Sequence, residues 1–181
     1  MKQFKASRGF TLVELSIVLV IIGVLAAMGT RGVGLYTATK NESEAQNVNR
    51  IMLALQTKYR YDNSTSTLTN AVAIATGVFD KSGWQVDTAT NVIMHSFNGT
   101  VVLAPATVAI ANDAFQLTMN SVPYKNCGDI VRTVTQNAYS ATIGTTVVQA
   151  SPSALATGAA IDTACGTSGT VNLVFVYTKT L

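Results

Sequence analysis

The sequence is poor in charged residues, which make up 12% of its 181 residues, against about 25% in typical soluble domains. Its polar character comes mostly from serine, threonine, asparagine and glutamine, whose side chains hydrogen-bond well but repel neighbouring copies weakly. The length is sufficient for one domain with a hydrophobic core. Such a surface would suit a protein that packs against itself.

The basic character of the chain is confined to its first residues. The isoelectric point is about 9.0, but Lys2, Lys5 and Arg8 all precede Phe10 and no acidic residue does. Without residues 1–9, nine Lys/Arg are balanced by nine Asp/Glu, and the formal net charge falls from +3 to 0. Nucleic-acid binding requires a basic patch that neutralises phosphates. The sequence therefore predicts no specific nucleic-acid partner.

Residues that catalyse reactions or bind metals are also scarce. The single histidine, His95, has no cysteine, histidine or acidic motif around it, and we expect it at the surface or partly packed. The acidic residues lack the spacing of a paired acid–base site, and no glycine-rich phosphate loop is present. We therefore predict no catalytic residue, no metal site and no cofactor, so the protein should not be an enzyme.

An apolar segment follows the basic start of the chain. Residues 10–28 contain a single charge, that of Glu14, and as a helix they would span roughly 28 Å, close to the hydrocarbon thickness of a bilayer. The preceding basic residues would hold the N-terminus in the cytoplasm. We therefore predict a membrane anchor at 10–28 and an exported remainder. In an exported domain Cys127 and Cys165 would form one disulfide, whereas a reducing compartment would keep two free thiols.

Glu14 requires an explanation, because a carboxylate within a membrane helix costs about 2.5–3.5 kcal/mol on insertion scales. Cleavage between Gly9 and Phe10 would remove only the basic leader, unlike an ordinary secretory signal, which is cut after its apolar core. It would also create a cationic amine at Phe10, about one helical turn from Glu14 on the same chain or a neighbour. The other interpretation is a tolerated acid near the membrane edge.

The run Gly9-Phe10-Thr-Leu-Val-Glu14, after a short basic leader and before a long apolar helix, resembles the type IV prepilin motif. The resemblance implies a prepilin peptidase that cleaves after Gly9 and N-methylates Phe10, and it makes Glu14 the assembly carboxylate. It also implies an inner-membrane precursor, with its head on the periplasmic side, that the inner-membrane pilus assembly machinery handles. The product would be a homopolymer, an extracellular pilus on the cell surface.

A second helical pattern follows the apolar segment. Apolar residues at three- and four-residue spacings predict one buried stripe, with Glu44 and Asn47 among the polar residues between them: Ala45, Val48, Ile51, Met52, Leu55 and Tyr59. We expect a continuous helix over residues 11–60. Four glycines lie between positions 23 and 34, and they indicate either close packing against neighbouring helices or a stretch that unwinds in a filament.

The remainder of the chain predicts a short helix over residues 70–76, a surface loop over 148–160, and several strands. The strands are expected at residues 99–103, 114–119, 130–134, 145–148 and 171–178. An antiparallel sheet packed on one long helix is an α+β arrangement, the pilin fold that the resemblance implies. The predicted divisions are a leader at 1–9, the helix at 10–60, and a globular head at 61–181 with a disulfide-bounded C-terminal region.

The sequence combines features of two subclasses of type IV pilins. Val122-Pro123 before Cys127, and Ala164-Cys165 before a final strand, resemble type IVb pilins, whereas the short leader and Phe10 resemble type IVa pilins. The leading interpretation is a structural subunit, the major pilin, that polymerises into a type IV pilus. The alternatives are a minor pilin or secretion pseudopilin, and a monomeric single-pass membrane protein with an extracytoplasmic binding domain.

Overall fold

The computed structural model describes the backbone of residues 11–179 and the side chains of residues 11–26 and 37–179. The predicted leader and Phe10 lie outside the described residues. Contacts divide the chain between Ala38 and Thr39 into an N-terminal unit and a C-terminal unit that ends at Leu181. Helix α1, Leu12–Lys58, contributes to both.

Within the C-terminal unit, one stripe of α1 is buried as the spacing predicts. Ala45, Val48 and Leu55 have no exposed surface, and they recur at the three- and four-residue intervals that place side chains on one helix face. Two polar residues depart from the prediction. Glu44 and Asn47 were expected on the solvent side, but both are buried. Trp84 and Ser96 supply the hydrogen-bond donors that Glu44 meets there.

In residues 11–179, seven antiparallel strands form one sheet in the order β1-β2-β3-β4-β7-β5-β6. Its members are β1 (Gln85–Asp87), β2 (Val92–Met94), β3 (Thr100–Ala106), β4 (Ala114–Pro123), β5 (Ser140–Ile143), β6 (Thr146–Gln149) and β7 (Thr170–Thr178). The described residues after α1 also form the helices α2 (Asn70–Ala75), α3 (Tyr124–Val134) and α4 (Gly158–Cys165). The fold is therefore α+β, as predicted.

The core lies between the central strands β4 and β7 and the buried stripe of α1. Every second residue of each strand points inward, so that Leu117 pairs with Phe175 and Met119 with Leu173 across the ladder. The ring of Tyr59, the residue that follows α1, meets Phe115 edge-on at 5.5 Å between centroids. These contacts fix the C-terminal half of the helix against the sheet.

One predicted strand is wrong. Residues 130–134 form the last turns of α3 rather than a strand. The β-branched run suggested a strand, but Cys127, Ile130, Val131 and Val134 are all buried and recur at helical spacing. Three short strands, β1, β2 and β5, were not predicted, and the loop expected to reach residue 160 ends where α4 begins at Gly158.

The turn between β2 and β3 packs closely on an irregular point of β4. The register of β4 with β7 shifts between Met119 and Val122, and Ser121 takes a positive φ of 58° there. A β-carbon on Gly99 would collide with the Asn120 carbonyl oxygen and the His95 imidazole. The close approach of these two backbones therefore requires glycine at position 99.

Candidate assembly site

The described part of the N-terminal unit exposes apolar side chains on every side. All residues from 11 to 26 are exposed, and Leu12 reaches 86%. The large apolar side chains are Leu12, Val13, Leu15, Ile17, Val18, Leu19, Val20, Ile21, Ile22, Val24 and Leu25. A soluble surface rarely presents such a continuous apolar area unless another molecule or a membrane covers it. This segment is the candidate assembly site.

Glu14 lies in the first turn of α1, where its side chain is exposed. Its backbone N–H donates to Thr11 Oγ1 at 3.3 Å, and the Thr11 carbonyl accepts from Leu15 N–H at 3.1 Å. Thr11 therefore caps the helix, and Glu14 occupies the position at which a capping box places an acid. The positive end of the helix dipole favours a carboxylate there. Sequence reasoning missed this cap, although the Thr-x-x-Glu spacing was readable.

The predicted processing junction, Gly9 and Phe10, lies outside the described residues. Part of the predicted anchor at 10–28 does too, because the side chains of residues 27 and 28 are not described. Within the part of the chain that the structure describes, no helix is long and apolar enough to cross a membrane. The role of the junction stays a prediction.

Within the C-terminal unit, a buried carboxylate on α1 accepts hydrogen bonds from two turns. Glu44 is 2% exposed, and its Oε2 accepts from Trp84 Nε1 at 2.6 Å. Its Oε1 accepts from the Ser96 backbone N–H at 3.3 Å and from the Ser96 hydroxyl. A buried charge is tolerated when such donors replace water. Glu44 is thus a structural clamp that the sequence, which placed it on the polar face, did not reveal.

His95 is buried beside this clamp rather than at the surface. Its Nδ1 accepts from Phe97 N–H at 3.2 Å, so Nε2 carries the proton and donates to the Asn120 carbonyl at 2.8 Å. Burial lowers the pKa of His95 below its ordinary value of 6.5, against the opposing effects of the Asn120 hydrogen bond and Glu44. Lys40 adds to the lowering and donates to the Ser96 carbonyl at 2.8 Å. The imidazole is therefore held neutral.

A disulfide joins Cys127 on α3 to Cys165 at the end of α4, the pairing that the sequence predicts, with their Cα atoms 5.8 Å apart. The Nη1 atom of Arg132 lies 3.7 Å from Asp129 Oδ1, and the guanidinium also forms an ion pair with Asp162. These links hold the two helices of the C-terminal region together. The residues that the structure describes contain no group of three or more acids, histidines or cysteines that could hold a metal ion.

Two family profiles match the chain. The profile described as "Prokaryotic N-terminal methylation motif" covers residues 4–30, and the one described as "PilS N terminal" covers residues 38–178. The chain belongs to the PilS family of type IV pilins. It is therefore a pilin subunit, a structural protein rather than an enzyme.

A curated relative and two solved structures resemble this pilin. It is 29% identical over 134 residues to the "Type IV major pilin protein PilA" of Myxococcus xanthus (strain DK1622), a match that covers 73% of this chain and 61% of that protein. The pilin thus spans less than two thirds of that relative's length.

The fold of this pilin is similar to those of the type IV b pilin from Salmonella typhi and of TcpA, a type IV pilin from Vibrio cholerae El Tor biotype. The first has a TM-score of 0.59 at 20% identity, and the match covers 76% of this chain and 99% of that one. The second has a TM-score of 0.57 at 17% identity, covering 77% and 99% respectively. The α+β architecture is therefore that of known pilin heads.

Proposed function

We propose that this pilin is the major subunit of a type IV pilus and polymerises through its apolar N-terminal segment. The observation that supports this most directly is the exposure of every residue from 11 to 26, apolar on all sides apart from a few polar residues that include Glu14. Burying this surface between subunits would contribute roughly 25 cal/mol per Å². The relative named as a major pilin adds support for the major-subunit role.

Processing would convert a membrane precursor into the assembling form. A prepilin peptidase would cleave between Gly9 and Phe10, remove the leader at 1–9, and methylate the Phe10 amine. Residues 10–28 would anchor the precursor in the inner membrane, with the head at 61–181 on the periplasmic side, until the assembly machinery transfers it into the filament. The match of the methylation motif to residues 4–30 supports this order of events.

Glu14 would provide the polar contact within the assembled core. Its carboxylate is exposed in the first helical turn, where it would be open to a cationic amine on a neighbouring subunit. A desolvated pair of opposite charges is strong when its geometry is fixed and costly when one partner is missing. The contact would therefore set the axial register between neighbouring helices.

The decisive experiment is intact-mass analysis of filaments sheared from cells, combined with electron microscopy. We expect the dominant species to lack residues 1–9 and to carry about 14 Da of added mass from one methyl group. A trace amount of the processed chain in filaments dominated by another protein would identify a minor pilin or pseudopilin instead. An uncleaved chain found only in membranes would overturn the proposal and favour a monomeric membrane protein.

A further inference from the structure

A groove of about 660 Å³ lies in the C-terminal unit, between α1 and the turns that follow α2. Ile51, Ala54 and Val78 contribute apolar lining, and so does Leu53, which is 54% exposed. The volume falls within the range of about 300–1,000 Å³ that compact ligands occupy. The groove is therefore large enough to receive the tip of a loop.

The charged residues that line the groove are mostly basic. Among the lining residues that the structure describes, Arg50, Lys58 and Lys81 are opposed by Asp80 alone. The ion pairs of the described residues involve none of these three basic side chains, and Lys58 donates to the neutral Thr76 carbonyl at 3.0 Å. The groove therefore has an excess of positive charge, and it favours an occupant that is apolar and negatively charged.

The described loops of the same unit expose large apolar side chains at three positions, Tyr61, Ile110 and Leu155. Tyr61 lies between Arg60 and Asp62, and the Arg60 guanidinium lies over its ring, so its loop would bring a positive charge together with a negative one. Leu155 stands in a stretch of the chain that has no charged residue. The loop that presents Ile110 is thus the remaining candidate for a basic, apolar groove.

The β3–β4 loop, residues 107–113, combines an apolar tip with one negative charge. Ile110 is 74% exposed at the tip, and Asp113 is the charged residue of the loop. The Asp113 carboxylate accepts hydrogen bonds of 2.8–2.9 Å from three backbone N–H groups, those of Ile110, Val108 and Ala109. These bonds lower the pKa of Asp113, so the loop is negatively charged at neutral pH.

Contacts from outside the loop hold it in place. The N–H and the hydroxyl of Thr65 donate to the Asn112 carbonyl at 2.8 and 3.0 Å. The Lys179 N–H donates to the Asp113 carbonyl at 3.1 Å. Because the loop is already ordered, little conformational entropy is lost when it binds. Ile110 is therefore presented as a preorganised apolar anchor of the kind that fills a pocket on a partner.

We propose that the β3–β4 loop of one subunit docks into the groove of a neighbouring copy, with Ile110 against Leu53 and the negative charge of the loop towards Arg50 and Lys81. The loop and the groove are different surfaces of the same unit, so the contact is head to tail and can repeat from copy to copy. One loop buries less than the roughly 1,200–2,000 Å² of a stable interface. The contact therefore rests on the polymerisation proposed above, which would hold neighbouring heads together.

The test is disulfide trapping between two full-length variants dispersed in detergent, since trapping accumulates contacts that are brief. One chain has Ile110→Cys and the other has Leu53→Cys, and one of them is isotope-labelled so that mass spectrometry identifies a disulfide between the two. A disulfide requires β-carbons about 3.5–4.5 Å apart. We expect a disulfide between positions 110 and 53 that forms faster as the chain concentration rises.

The matched control replaces Ile110→Cys by Leu155→Cys. Leu155 is also an apolar loop residue, and its exposed fraction of 70% is close to the 74% of Ile110, so random collision would trap both at the same rate. We expect trapping with Leu53→Cys to be about tenfold faster or more from position 110 than from position 155. Equal rates would overturn the proposal.

A second pair of variants tests the charge of the groove. Lys81→Glu, added to the chain with Leu53→Cys, should slow trapping by about two- to fivefold at low ionic strength. Lys125→Glu makes the same change at an exposed lysine of α3 that does not line the groove, and it should leave the rate unchanged. Equal slowing by the two variants would overturn the assignment of the contact to this groove.

The same cysteine pair in filaments sheared from cells separates this contact from polymerisation itself. Filaments in which the pair at positions 110 and 53 is not trapped would overturn the loop contact and leave the proposed function standing. Trapping of the dispersed chain, in cells that make no filament of this pilin, would support the loop contact and overturn the proposed function.

Discussion

At the scale of single residues, Glu14 has two roles that can be separated. Its backbone N–H donates to the Thr11 hydroxyl. Any residue at position 14 except proline could keep this hydrogen bond. Its carboxylate, by contrast, is specific to an acid. A change that removes only the carboxylate should therefore leave the helix intact and affect the proposed contact between subunits.

Glu14→Ala should leave membrane insertion and processing largely unchanged but lower the yield of sheared filaments. A loss of about tenfold or more is expected, since each 1.4 kcal/mol of lost contact free energy changes an equilibrium tenfold. Ser16→Ala is the matched control, because Ser16 is exposed two residues away and its hydroxyl donates to the Val13 carbonyl of its own helix. Normal filament yield from Glu14→Ala would contradict the proposed role.

Gly99 provides a stability test at the same scale. Alanine there would force its methyl group against the Asn120 carbonyl, a backbone atom that cannot move aside as a side-chain end could. We expect a loss of roughly 1–3 kcal/mol in the free energy of unfolding. Gly83→Ala is the control, because its β-carbon would meet Asn47 Nδ2 at an ordinary 3.6 Å. Equal thermal denaturation midpoints for both variants would show that the close packing is not needed.

At the scale of elements, the β2–β3 turn depends on a neutral histidine. The turn closes with hydrogen bonds between His95 and Gly99 and between Asn98 and His95, each 3.0 Å long. Two hydrogen bonds join this turn to α1: the Ser96 N–H donates to Glu44, and Lys40 donates to the Ser96 carbonyl. The bond from His95 Nε2 to the Asn120 carbonyl joins the turn to β4. Protonation of His95 would remove the acceptor of Phe97 N–H and place a charge in a buried site.

The stability of the C-terminal unit should therefore fall as the pH falls. The pKa of His95 is lowered by burial from 6.5, so the unfolded chain takes up this proton first. The contribution of neutral His95 to the free energy of unfolding is complete above about pH 6.5. It is lost progressively below that pH, by at most about 1.4 kcal/mol per pH unit. Thermal denaturation of the full chain between about pH 7.5 and 5 should show this slope, and His95→Gln should flatten it.

Carboxylates titrate in a separate range. Hydrogen bonds from Thr90 and Ala89 lower the pKa of Asp87, and backbone N–H groups of Ile110, Val108 and Ala109 lower that of Asp113. Their stabilisation is present above the ordinary carboxyl pKa of 3.8 and is lost only below it. An identical slope in the wild type and in His95→Gln above about pH 5 would therefore exclude His95 as its source.

At the scale of the whole molecule, charge separates the precursor from its processed form. The full chain has a formal net charge of +3 and an isoelectric point of about 9.0. Removing residues 1–9 takes away three basic residues and no acid, which leaves a formal charge of 0. A weakly charged surface repels other copies little, which suits a subunit packed in a filament.

Isoelectric focusing should therefore show a large acidic shift on processing. Filament subunits should focus near neutrality, and the precursor made in a host without the peptidase should focus near pH 9.0. The two forms share one sequence, so the difference in focusing position would report the removal of residues 1–9. Identical focusing positions would contradict cleavage at Gly9.

The sequence by itself determined the features that depend on local pattern or on the order of residues. The apolar run with one acid, the basic leader, the buried stripe of α1 and the alternating strands β4 and β7 follow from hydropathy at periods of 3.6 and 2. The family followed from the prepilin motif, which is contiguous in the chain. Even the Thr11 cap was present locally, as Thr-x-x-Glu.

Only the tertiary structure decided what depends on residues far apart in the chain. The β-branched run at 130–134 became helical because its buried face packs with Cys127 against the core. Glu44 is buried because Trp84 and Ser96, 40 and 52 residues away, supply its donors. The orientations of the His95 ring and of the Gln149 amide are set in the same way, by hydrogen bonds to carbonyl groups outside their own elements. No local pattern encodes such partners, because packing brings them together.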